Sequence, residues 1–179
     1  MAQPDFDRMW AAFPDHTKYP TLRALHTFIG GRVAVNIGDD MGFPDAGNTC
    51  AMRMSYALNH GGMPLSWSLL KSLKLGRSAI PGADHKPHLF RVADLRIYLA
   101  NALGTTPQRV RKDFGTAFAG RRGIVAFKVD GWQTATGHIA LWNGTQFRED
   151  DHDDYRQQRD DPTTVQNEGT TVEMLLWPL

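Results

Sequence analysis

The stretch GIVAFKVDGWQTATGHIALWNGTQFRE, Gly123–Glu149, decides the fold class of this chain. Its first ten residues, Gly123–Trp132, are rich in β-branched and aromatic side chains and run into the turn-forming pair Asp130–Gly131, which predicts a strand. His138–Trp142, Asn143–Gly144 and Thr145–Glu149 then read as strand, turn and strand, because Asn-Gly supports a type I′ turn. Further on, Thr171–Trp177 reads as a last strand. Upstream the period changes. Phe6, Met9, Trp10 and Phe13 recur at helical spacing up to Pro14, and Leu22, Leu25 and Phe28–Ile29 suggest a second helix ending at Gly30–Gly31. Val33–Asp45 reads as a loop, and Leu65–Leu75, Val92–Leu103 and Pro107–Phe118 read as further helices. Helices first and an antiparallel sheet afterwards predict an α+β fold.

The length of 179 residues has room for one ordinary domain, taken as 1–179. No internal repeat, low-complexity tract or long linker interrupts it. Twenty basic against nineteen acidic residues leave a formal charge of +1, which argues against a dedicated nucleic-acid binder. With a mean hydropathy of −0.40 and no long apolar run, no membrane span is expected. The start, MAQPDFDRMWAAF, lacks the basic and apolar regions of a Sec-type signal peptide. The absence of GxxxxGK[ST] argues against a nucleotide-dependent enzyme. A single cysteine, Cys50, excludes an internal disulfide and a Cys-rich zinc cage.

Cys50 falls in NTCAMRMSYALNHGG, Asn48–Gly62. Asn48 or Thr49 can cap a helix there, Ala51, Met54 and Leu58 form its inward stripe, and Gly61–Gly62 ends it. Cys50 is then its second or third residue, where free N–H groups and the helix dipole favour thiolate over thiol. A cysteine hydrolase needs that chemistry, although a lone cysteine also serves as a small buried hydrophobe. Of the seven histidines, only His138 opens a well-defined strand. If Asn143–Gly144 is a two-residue turn, Trp142 pairs with Thr145 and His138 with Glu149, on one face. A carboxylate there orients one imidazole nitrogen and leaves the other for the thiol. A longer turn or a bulge shifts the role towards Asp150.

Other groups read more plainly. Asp84, His85 and His88 resemble metal ligands, but Pro87 breaks any helical spacing and no third ligand type completes a set. Trp132 and Trp142 flank the His138 segment and either wall a peptide groove or pack in the core. Arg109, Arg111 and Lys112 fall on the helix expected at 107–118, as a solvated face able to attract an anionic polymer.

With NTCAMRMSYALN around Cys50, TGHIALWNG around His138 and the strand GIVAFKV before it, the chain resembles the type VI secretion amidase effectors, most nearly their fourth family. More widely, it resembles the papain-like NlpC/P60 peptidoglycan peptidases. The resemblance runs from about Gly47 to Glu149. It implies a helix N-terminus carrying Cys50, packed on an antiparallel sheet carrying His138. The implied roles are Cys50 as nucleophile, His138 as general base and an acid eleven residues later, at Glu149. The family usually has Asp there, and the nearest Asp is Asp150; a second cysteine present in some relatives is also missing. The implied activity is hydrolysis of the D-glutamyl–meso-diaminopimelate bond of peptidoglycan stems, with no cofactor. The implied setting is synthesis in one cell, delivery by the type VI apparatus to the periplasm of a rival, and a cognate immunity protein in the producer. Three alternatives stand beside it: the same fold cutting the D-alanyl–diaminopimelate cross-link, a metal hydrolase using Asp84, His85 and His88, and a non-catalytic cell-wall or protein-binding module.

Overall fold

A computed structural model describes residues 3–36, 49–131, 137–156 and 169–179. They form two compact units, Met1–Leu103 and Gly104–Leu179. The first is mainly helical, and the second is built on an antiparallel sheet. No helix among the described residues is long and apolar enough to cross a membrane.

The first unit contains α1 (Phe6–Ala12), α2 (Leu22–Ile29), α3 (Gly31–Val35), α4 (Cys50–His60), α5 (Trp67–Ser72) and α6 (Val92–Ala102). A short hairpin, β1 (Ala79–Pro81) and β2 (Pro87–Leu89), lies between α5 and α6. Asp5, Thr21 and Ser66 cap α1, α2 and α5 through side-chain oxygens that accept first-turn N–H groups. Gly30 and Gly31, at φ 71° and 60°, turn the chain from α2 into α3, a left-handed path that a Cβ would strain. Leu25, Ile29, Val33 and Met52 form one apolar cluster, against which Tyr19, Tyr56, Ile80 and Phe90 pack.

α4 was expected to bury one stripe, but it is buried nearly all round, including Arg53, Ser55 and Asn59. These polar groups are used. Ser55 Oγ donates to Leu89 O at 3.2 Å and accepts from Leu89 N at 3.1 Å. One turn later, Asn59 Nδ2 donates to Pro87 O at 2.9 Å. The helix thus supplies the partners that a neighbouring strand would give to the backbone of β2. Arg53, 1% exposed, donates from Nε to Thr49 Oγ1 at 2.9 Å, from Nη2 to Tyr19 O at 2.6 Å, and from Nη1 to Pro14 O. It binds the start of α4 to the segment after α1.

The second unit contains β3 (Gln108–Val110), β4 (Gly123–Asp130), β5 (Gly137–Trp142), α7 (Asp150–Asp153) and β6 (Thr170–Pro178), in sheet order β3-β6-β4-β5. Val125, Phe127, Val129, Ala140, Trp142, Met174 and Leu176 form its core with Phe118 and Phe147. Every residue of β5 is buried. Gly137 opens that strand because a Cβ there would sit 2.2 Å from Phe127 O, so only glycine allows β4 and β5 to meet at this point.

The helix expected at 107–118 is corrected to β3 followed by a 3-10 turn, Phe114–Thr116. The alternation Gln108–Arg109–Val110 pairs with Leu176, Leu175 and Met174, and Asp113 at φ 54° bars a continuous helix. The helix expected at 65–75 shortens to α5, and β1–β2 were not anticipated. Trp132 and most of the loop expected at 33–45 lie outside the described residues.

Replacing Arg53 by Met strands two buried acceptors and a part-buried one, and the expected result is a loss of about 3 kcal/mol of stability. Arg53→Lys should recover little, since an ammonium lacks the fork that reaches all three acceptors. Urea titration of the three proteins measures this, and a Met variant as stable as the parent contradicts it.

Candidate active site

Cys50 is the first residue of α4, one or two positions earlier than expected. The cause lies in Thr49. Its hydroxyl accepts from Arg53 Nε and makes no cap bond, so regular helix begins directly after it. Asn48 lies outside the described residues. At the first helical position the Cys50 N–H is one of those that have no partner within the helix, and the sulfur sits at the positive end of the dipole. The residue is 6% exposed.

His138 is the second residue of β5, paired with Phe127 of β4, and 5% exposed. Its Nε2 lies 2.8 Å from Oδ1 of Asp153, which is 2% exposed. A carboxylate accepts, so the proton of this bond belongs to Nε2. The Tyr155 ring lies 4.6 Å from the imidazole and Phe127 lies 6.2 Å away. Asp153 Oδ2 is buried, with no hydrogen-bond partner among the described residues.

The acid bonded to His138 therefore differs from both sequence candidates, and the turn explains why. Trp142 is bridged to Phe147, not to Thr145, so the connection has four residues. Asn143 Oδ1 accepts from Thr145 N, Thr145 Oγ1 and Gln146 N, each at 2.9 Å, an Asx-type turn that replaces the two-residue one. Phe147, 1% exposed, is drawn into the core against Trp142, with ring centroids 4.7 Å apart. Arg148 N still donates to Leu141 O at 2.9 Å, but pairing ends there. Half-buried Glu149 precedes α7, and exposed Asp150 accepts from Phe147 N at 2.7 Å. The short helix α7 then carries Asp153 to His138. α7 lies within the acidic run Glu149–Asp154, which in the sequence reads only as a solvated acidic loop. Trp142 proves to be core: it is 3% exposed and donates from Nε1 to Phe118 O at 3.0 Å.

Asp84, His85 and His88 do not gather around a common point. Asp84 Oδ2 lies 3.1 Å from Lys86 Nζ and 3.5 Å from His60 Nε2, and the His85 carbonyl accepts from Trp67 Nε1 at 3.1 Å. His88 is 1% exposed, donates from Nδ1 to Lys86 O at 3.1 Å, and faces Asn59 Nδ2 with Nε2 at 3.4 Å. Its two nitrogens are occupied as in a neutral ring. Among the described residues no three such side chains are placed to hold a metal ion.

A helical unit whose cysteine opens α4 and a sheet whose histidine is held by a buried aspartate define a papain-like α+β fold of the NlpC/P60 type, as the motifs implied. The chain belongs to the family of type VI secretion system amidase effector protein 4, Tae4, whose model matches residues 46–177. Among solved structures, it is similar to Tae4 in the Tae4–Tai4 effector–immunity complex from Enterobacter cloacae, with 30% identity, a TM-score of 0.75 and 99% of each chain covered. It is also similar to Tae4 of the Tae4/Tai4 system from Salmonella typhimurium, at 28% identity, TM-score 0.73 and 99% of each chain. Tae4 from Enterobacter cloacae matches at 29% identity and TM-score 0.73, over 99% of this chain and 97% of that one. No curated protein matches the chain. The expected class, an amidase effector delivered into target cells by type VI secretion, is the class of this chain.

Burial holds the His88 pKa down from 6.5 to about 4. Below pH 6.5 the unfolded chain takes up a proton that the folded ring resists until about pH 4. The stability from keeping this ring neutral is therefore complete above pH 6.5 and is lost as the pH falls towards 4, by about 3 kcal/mol in all. Denaturant titrations from pH 7 to 4 should show a flatter decline for His88→Gln than for the parent; equal slopes contradict the assignment.

Proposed function

We propose that this effector is a cysteine amidase that cuts peptidoglycan stems at the D-glutamyl–meso-diaminopimelate bond, with Cys50 as nucleophile, His138 as base and Asp153 as orienting acid. The observation that carries the reading is the buried 2.8 Å bond between His138 Nε2 and Asp153 Oδ1. With Nε2 committed to the carboxylate, Nδ1 is the nitrogen that exchanges protons with sulfur and substrate. The start of α4 supports the other half of the reading, because a thiolate at the first helical residue gains from the dipole and the local N–H groups.

The reaction then runs in two halves. His138 Nδ1 takes the Cys50 proton, and sulfur attacks the amide carbonyl. The carbon–nitrogen bond breaks as the imidazolium returns that proton to the leaving amine, and a thioester remains on Cys50. Water gives a proton to Nδ1 and attacks the thioester, and sulfur leaves with the acid released. The Cys50 backbone N–H, at the head of α4, is the natural donor to the oxyanion. Asp153 keeps the ring in the correct tautomer and balances the imidazolium while it exists.

The family match begins before Cys50 and ends beyond His138 and Asp153, which supports reading 1–179 as one amidase domain. Delivery to the periplasm, where peptidoglycan lies, follows from the substrate proposed. Solved Tae4 relatives appear with the immunity protein Tai4, which supports a cognate immunity partner for this chain.

Digestion of purified sacculi with product identification by mass spectrometry tests the whole reading. Cys50→Ala should fold and release nothing. Asp153→Asn should fold, since the amide keeps the shape and an acceptor for His138 Nε2, yet lose about 10²-fold or more in kcat. Glu149→Gln should stay within about twofold of the parent. Hydrolysis by Cys50→Ala, or a Glu149→Gln loss as large as that of Asp153→Asn, overturns it. Loss of cross-linked dimers without stem cleavage moves the bond to the D-alanyl–diaminopimelate link.

A further inference from the structure

Arg109 lies within β3 and Arg111 directly after its end. Both converge on one carboxylate. Glu173 of β6 is 8% exposed; its Oε2 accepts from Arg111 Nε at 3.3 Å and forms an ion pair with Arg109, whose Nε lies 3.2 Å away. A carboxylate this buried is costly unless paired, and two guanidiniums satisfy it. The geometry also acts on the arginines. Both guanidiniums gather on this carboxylate while their side chains stay half or more exposed, at 52% and 69%. Two cations drawn together at a surface by a shared carboxylate are placed to receive an anion as well.

They border a groove of about 720 Å³ whose walls include Val110, Lys112, Thr116 and Ala117. A second hollow of about 350 Å³ shares Arg109, Val110 and Thr116 and reaches Arg121. Arg109, Arg111, Lys112 and Arg121 line the two hollows, with Asp113 beside them and Glu173 paired to the first two, a surplus of two positive charges in a chain whose formal total is +1. β3 is the outer strand of its sheet, at the edge opposite β5 and His138. The groove therefore lies at the far edge of the sheet from the imidazole.

We infer that this groove is an anchoring site for the carboxylates of a peptidoglycan stem peptide, taken in addition to the scissile one. The inference rests on peptidoglycan being the substrate. Charge selects the ligand: wall stems present several carboxylates on a short backbone with small alanine methyls, and the groove offers guanidiniums and an ammonium over the small apolar surfaces of Val110 and Ala117. In a polymer, a second weak contact raises occupancy at the first by holding the enzyme near the strand.

The test is binding of the Cys50→Ala protein to purified sacculi by pelleting, across a series of NaCl concentrations. Adding Arg109→Gln and Arg111→Gln should weaken binding about fivefold and flatten its salt dependence. Because that pair also strips Glu173 of its partners, Lys112→Glu serves as a second variant that leaves the ion pairs in place and should weaken binding too. Sacculi whose free carboxylates have been chemically amidated should bind Cys50→Ala as weakly as the arginine variant binds untreated ones. Unchanged binding of both variants, or indifference to amidation, overturns the inference. So does a loss confined to affinity for the immunity protein, which would make the groove a protein-docking surface. If the parent enzyme releases no wall peptide while binding behaves as stated, the hydrolase reading fails and the anchoring site stands.

Discussion

The sheet unit is organised around a buried imidazole and a buried carboxylate fifteen residues apart that share one hydrogen bond. Taking a carboxylate out of water costs several kcal/mol unless it is paired, and here the pairing must be reached across a turn. Everything between His138 and Asp153 serves that requirement. Asn143 gathers three donors to shape the turn, Phe147 fixes it to the core, and Asp150 receives the Phe147 N–H as α7 begins. Gly137 lets β5 lie close enough to β4 for His138 to start from a rigid strand. The second oxygen of Asp153 gains nothing from this arrangement among the described residues. A fold selected for stability alone has no use for it; a fold that must hold an imidazole in one tautomer does.

The helical unit solves a related problem by a different route. α4 runs through the interior, and a purely apolar helix would leave the backbone of β2 without partners on that side. Ser55 and Asn59, spaced by one turn, meet that backbone, while Arg53 reaches three oxygens at the other end. The same contacts that orient α4 also fix where it begins, and so put Cys50 at the first helical residue. Polar residues inside this helix thus define the position of the sulfur, a task apolar packing alone performs less sharply.

Much of this was legible in the sequence, and the failures have specific causes. The strands at 123–130, 137–142 and 170–178 announced themselves by β-branched and aromatic content, and Cys50 and His138 by their places at element starts. Register was not legible. Asn143–Gly144 is equally good in a two-residue turn and in an Asx-shaped four-residue one, and only the burial of Phe147 decides between them. That single choice moved the acid from Glu149 to Asp153. The stretch 107–118 misled for a similar reason: Arg109, Arg111 and Lys112 suit a solvated helix, and the pairing with β6 that makes Gln108–Val110 a strand lies more than sixty residues away. Local propensity is overridden wherever a distant partner supplies backbone bonds.

Among its described residues the sheet unit buries two carboxylates, Glu173 of β6 and Asp153 of α7, and their charges are balanced in opposite ways. Glu173 is bonded by two arginines, so its charge is over-compensated and the surplus faces outward into a groove. Asp153 has one neutral-capable partner and an oxygen with none among the described residues, so its charge is under-compensated and the deficit faces inward, towards His138. An under-compensated anion stabilises positive charge that develops beside it, as on an imidazole during acyl transfer. An over-compensated one fixes the cations around it for an incoming anion. Under the proposed function, the same sheet carries the anchoring groove at one edge and the base at the other, using the same residue chemistry with opposite balance.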